Sequence, residues 1–95
     1  MNIQYVGFTV AATSRTYTFR VFDALEQTRE VTVKIQLGAF RSPPLKFQDG
    51  PNLCFARLKQ ELERETQESR VEPHLRIGEQ DIQEYLQRRY PRKRS

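Results

Sequence analysis

Between Tyr17 and Leu37 apolar residues recur at every second position, in 17–21 and again in 31–37, and from Cys54 to Leu62 they recur at helical spacing; the change of period crosses Ser42-Pro43-Pro44. A period of two sends side chains alternately to the two faces of a strand, whereas spacings of three and four line them along one side of a helix. The pattern predicts an α+β fold, a β-rich half followed by an α-rich half, each with one apolar face to bury.

Three strands are predicted in the first half. In residues 2–12, Val6, Phe8 and Val10 alternate onto one face, while Ile3 and Tyr5 have the opposite parity. Either both faces of this strand are partly covered, or a bulge near Gly7 shifts the alternation. In residues 16–23, Tyr17, Phe19 and Val21 point one way and Thr18 and Arg20 the other. In residues 29–37, Val31, Val33, Ile35 and Leu37 alternate with Thr32, Lys34 and Gln36, and β-branched side chains favour the pleated conformation. Short connections imply an antiparallel meander with one wet face. Residues 45–48, beyond the break at Pro43 and Pro44, are either a short fourth strand or an extended connector.

Two helices follow. Asp49-Gly50-Pro51-Asn52 is a start signal, with a capping residue and a proline in the first turn. Cys54, Phe55, Leu58 and Leu62 form the expected inner stripe, and residues 63–70 continue as helix-forming polar sequence with a solvated or frayed end. A second helix spans residues 79–90, with Ile82, Tyr85 and Leu86 inward, Gly78 at its cap and Asp81 where a carboxylate meets the free amides. Both helices are expected to pack on the sheet face formed by Tyr17, Phe19, Val21, Val31, Val33 and Ile35. Residues 1–90 then make one domain, and residues 91–95 an extended basic tail, expected to be disordered.

Charge sharpens this picture. The chain of 95 residues has 16 basic and 12 acidic groups, a net +4. Five of the basic groups, Arg88, Arg89, Arg92, Lys93 and Arg94, lie in the last eight residues, which hold no acid. The strong basic signal therefore belongs to the C-terminal end, while the first 47 residues are mildly basic, with six basic and three acidic groups.

Candidate chemistry is sparse. Zinc sites usually use at least three Cys or His ligands, and the chain has one of each, Cys54 and His74, 20 residues apart. Its four glycines are scattered singly, so neither a phosphate-binding loop nor a dinucleotide fingerprint can be written. Cys54 at a helix start could be activated as a thiolate with His74 as base, but a free cysteine beside Leu58 is most simply a small core residue. Of the glutamates on the first helix, Glu61, Glu63 and Glu68 fall four residues from Arg57, Lys59 and Arg64, which accounts for these charges as a solvated face. No cofactor or metal is expected, and an enzyme is not the favoured reading.

Two binding readings remain. One is a non-enzymatic interaction module whose partner is another protein or a second copy, engaged through the sheet face or an unpaired edge, with Phe22 as an exposed partner contact. The other is association with nucleic acid, or with an acidic protein or anionic membrane surface, through Arg88, Arg89, Arg92, Lys93 and Arg94, the nucleic-acid version helped by Arg20 and Lys34 and by Arg15, Arg29 and Arg41. Arg15, Tyr17 and Phe19 share a face and resemble a base-stacking platform in outline, but some strand must supply the core face and theirs is the drier one. A single cysteine, no signal-like start and no apolar run near the ~20 residues that cross a bilayer lead us to expect a soluble cytoplasmic protein without membrane insertion.

Overall fold

The computed structural model describes residues 2–22, 28–41 and 45–89. Strand β1 (Asn2–Val10), β2 (Ser14–Phe22) and β3 (Thr28–Gln36) form an antiparallel meander. Short 3₁₀ turns at Leu37–Arg41 and Phe47–Asp49 lead into helix α1 (Gly50–Glu63). Strand β4 (His74–Arg76) and helix α2 (Glu79–Arg89) complete the described chain. The sheet order is β1-β2-β3-β4, with β4 parallel to β3. A parallel neighbour needs a crossover connection, and α1 is that connection.

The α+β architecture and the three antiparallel strands agree with the periodicity. The core-facing residues of β2 and β3 are Tyr17, Phe19, Val21, Val31, Val33 and Ile35, all 0–2% exposed. Against them pack Leu53, Cys54, Leu58 and Leu62 of α1, Leu75 of β4, Tyr85 of α2, and Leu45 and Ile77 from the connecting segments. Ile82 and Leu86 are half-buried against this cluster.

Four expectations need correction. Residues 45–48 are the connector and not the fourth strand, with Lys46 extended and a 3₁₀ turn at Phe47–Asp49; the fourth strand is His74–Arg76, paired with Thr32–Lys34. The residues at 45–48 serve to start α1. Asp49 is buried, its Oδ2 accepts the Lys46 amide at 2.9 Å, and its Oδ1 accepts the Tyr85 hydroxyl at 3.1 Å.

Second, α1 ends at Glu63 rather than running on through 63–70. Glu65 is pulled away to β3, where both its carboxylate oxygens meet the Arg29 guanidinium at 2.7 and 2.9 Å. It also accepts the Val71 amide at 2.8 Å, and a local turn bonds Thr66 N–H to Ser69 O. These tertiary contacts outweigh the helix propensity of the segment.

Third, Phe55 is not an inner residue of α1; it is 39% exposed, and Leu53 takes the buried place. Fourth, Val6 does not share a face with Phe8 and Val10; of the two alternatives for β1 the bulge near Gly7 is the one present, and the face is Ile3, Tyr5, Phe8 and Val10. Tyr5 pairs with Phe19 and Gly7 with Thr18, so Val6 is the extra residue of a bulge that shifts the alternation.

The N-terminus of α2 matches the sequence reading: Asp81 Oδ2 accepts the Gly78 amide at 2.8 Å and also the Arg57 guanidinium at 2.9 Å. The predicted Arg57–Glu61 pair forms along α1 at 3.1 Å.

Candidate protein-interaction surface

Strand β1 stands at the margin of the sheet, with β2 on one side and no strand on the other among the described residues. Its outward backbone groups are a template for another strand. No residue of Asn2–Val10 is charged, so the edge lacks the charged side chains that commonly blunt such strands.

The helices cover β2 and β3 but stop short of β1. Along β1, Tyr5 is 40% exposed, Val6 49%, Phe8 48% and Val10 59%. Tyr5, Phe8 and Val10 lie on the helix side of the sheet, in register with Phe19, Tyr17 and Arg15 of β2. Tyr5 stacks at 5.4 Å from the Phe19 ring and Phe8 at 5.6 Å from the Tyr17 ring, so each aromatic rests on the core by its inner side and faces outward by the other. Burial of its inner side raises the Tyr5 phenol above its ordinary value.

Helix α1 shows why this margin stays open. Leu53 and Phe55 sit about 100° to either side of the Cys54 direction. On the Leu53 side lies α2, whose Asp81, Glu84 and Arg88 share a crevice with Leu53 and Ala56. On the Phe55 side there is instead a groove of about 440 Å³, lined by Asn2, Ile3, Phe55, Lys59, Leu62 and Glu63. At the far end of the strip, Arg15 is sandwiched between rings: its guanidinium carbon lies 4.5 Å from the Phe8 centroid and 4.1 Å from that of Phe47. Phe47 is itself 52% exposed and stacks on Phe40 at 4.8 Å. The result is an apolar, aromatic strip beside an open strand edge. Isolated exposed apolar residues are ordinary, but a contiguous strip is a mark of an interaction site.

The residues singled out from sequence are distributed elsewhere. Phe22 is half-buried at the end of β2, between Asn2 and Thr28, on the face away from the helices. On that same face, Arg20 stands opposite Glu30, and Lys34 stands between Thr16 and Arg76. Arg88 and Arg89 are exposed in the last turn of α2. Arg92, Lys93 and Arg94 lie outside the described residues. Tyr17 and Phe19 are core, not a stacking platform. Tyr5 and Phe8 were missed as site residues because their parity could not be settled until the bulge was placed.

Cys54 and His74 do not meet. Cys54 is fully buried on the helix side, its Sγ 3.9 Å from the Val33 carbonyl, and burial pushes its thiol far above the ordinary range. His74 is exposed on the opposite face, with Nδ1 2.7 Å from the Thr32 hydroxyl. Among the described residues the most perturbed carboxylate is Glu65, held down to about 2 by its bonds to Arg29, and it serves the connection between α1 and β4. Among the described residues no group of three or more His, Cys, Asp or Glu side chains is placed to hold a metal ion, and no helix is long and apolar enough to cross a membrane.

Compared with protein-family models, curated proteins and solved structures, the chain matches none.

Proposed function

We propose that this protein is a small non-enzymatic interaction module that takes an extended protein segment along the outer edge of β1. The observation that carries the reading is the coincidence of an uncharged, unpaired strand edge with the exposed Tyr5, Val6, Phe8 and Val10. Strand addition draws affinity from backbone hydrogen bonds and specificity from alternate side chains, and β1 offers both. The buried, protonated Cys54 and the ion-paired Glu65 support a binding role over a catalytic one. The single free thiol fits a reducing cytoplasm.

The reading is tested by placing a charge on the edge. Val6→Lys should abolish recovery of the native complex from the source cell, because a buried ammonium opposes strand addition, while Gln83→Lys on exposed α2 should leave it intact. Equal loss in both variants, or in neither, contradicts the proposal.

The adjacent placement of Lys34 and Arg76 on the face away from the helices, in a row with the neutral Thr9 and Thr16, favours a second reading. That row, with Arg20 and the exposed Arg88 and Arg89, would attract nucleic-acid phosphates and lose affinity steeply with salt. It predicts a mobility shift at low ionic strength that weakens on deleting residues 88–95. The absence of any shift for the full chain at low salt removes it.

A further inference from the structure

We propose that the occupant of the β1 edge is β1 of a second copy of this chain, paired antiparallel about a two-fold axis through the Val6-Gly7 bulge. The inference rests on the reading of β1 as a binding edge and goes on to name its partner and register.

The basis is the symmetry of the strand about its bulge. Val6 and Gly7 together take one step of the pleat, opposite Thr18. Residues equally distant on either side therefore share a face: Tyr5 with Phe8, Gln4 with Thr9, and Ile3 with Val10. In an unbulged strand, a two-fold axis between positions 6 and 7 would set each residue against one of the opposite face. With the bulge, the axis sets aromatic against aromatic, polar against polar and aliphatic against aliphatic. The strand reads the same way from either end, which is what an isologous two-fold interface requires of one patch meeting its own copy.

Charge and shape agree with this. Like charges opposed across a strand pair disfavour it, and Asn2–Val10 has none to oppose. Pairing would join the two four-stranded sheets into one continuous sheet and remove the open β1 edge of both copies. Ile3 of one copy, at the mouth of the groove lined by Phe55, Lys59 and Leu62, would receive Val10 of the other. The β1–β2 turn beyond Val10 begins with Ala11-Ala12, small and uncharged, and brings no charge of its own to the contact.

The test is sedimentation equilibrium of the full chain over a concentration series into the sub-millimolar range, with a crosslink to fix the register. The expected result is a reversible rise from the monomer mass of 11.3 kDa to twice that value. Two double variants, Gln4→Cys/Thr9→Cys and Ile3→Cys/Val10→Cys, report the pairing. Positions 4 and 9 of one strand lie roughly 15 Å apart, beyond the reach of a disulfide, so a bridge between them joins two copies. Adjacent pairs alternate between narrow and wide spacing, and one of the two variants falls at the narrow one. Mild oxidation should yield a covalent dimer in at least one double variant and in none of the four single variants.

A monomer at every concentration overturns the proposal, as does a dimer whose double variants crosslink no better than the singles. The wild-type mass decides the first point even where a variant fails to fold. A monomeric chain that still loses a different protein partner on Val6→Lys overturns self-pairing alone; a monomer indifferent to Val6→Lys in the native complex removes the edge reading as well.

Discussion

Replacing Glu65 by Gln should destabilise the protein at neutral pH, and the penalty should vanish in acid. Glu65 bridges Arg29 through two bonds of 2.7 and 2.9 Å, accepts the Val71 amide at 2.8 Å and lies 3.3 Å from Arg70 Nε. Hydrogen bonding to Arg29 is the largest cause holding its carboxyl near 2, against an ordinary 4.5. A folded value below the unfolded one means that the ionised form is favoured by folding. The contribution is therefore fully present above pH 4.5 and is lost as the pH falls toward 2. At about 1.4 kcal/mol per pKa unit the shift corresponds to an upper figure near 3 kcal/mol, and partial solvent access of the Arg29 side chain lowers the expectation to about 2 kcal/mol. For a domain of this size, 2 kcal/mol lowers the melting temperature by roughly 8–16 °C. Urea unfolding of wild type and Glu65→Gln at a series of pH values from 7 to 2 measures the difference directly, and other carboxylates cancel in the comparison. A difference that is already near zero at pH 7, or that stays constant down to pH 2, refutes the reasoning.

Gly50→Ala should destabilise by about 1–3 kcal/mol, because a Cβ at that site would overlap the buried Tyr17 ring and hydroxyl, and overpacking outweighs the usual helix gain of alanine. Thermal melting checks it, with Gly50→Ala/Tyr17→Phe partly restored; a stabilised Gly50→Ala would contradict the packing. Cys54 should react slowly with a thiol reagent in the native protein and fast in denaturant, since it is buried and protonated. Rapid native labelling would contradict its place in the core.

The sheet was legible because β2 and β3 each bury one face and wet the other, so alternation alone located Tyr17 to Ile35. Strand β4 was not legible. Its three residues are too few for a period, and its place depends on the parallel crossover through α1 rather than on local sequence. The end of α1 was missed for a similar reason: Glu65, Gln67, Glu68 and Arg70 are good helix formers, and the partner that draws Glu65 away lies 36 residues earlier, on β3. Leu53 and Phe55 occupy equivalent margins of the same helix stripe. Which one is buried was decided by α2 docking on the Leu53 side, a tertiary event with no local signal. That same asymmetry leaves Phe55 and β1 uncovered and creates the proposed site. Charge, the strongest signal in the composition, pointed to Arg88–Arg94, whereas the strip at Tyr5 and Phe8 is neutral and was hidden by the parity shift at Val6.

The most direct test of the interaction reading is a scan of a photo-crosslinking side chain, one position at a time, through Asn2–Val10 and Glu79–Arg89 in the native source cell. The account predicts protein adducts that peak in β1 around Val6 and fall to background along the outer face of α2. A flat profile, or a maximum on α2, would contradict it.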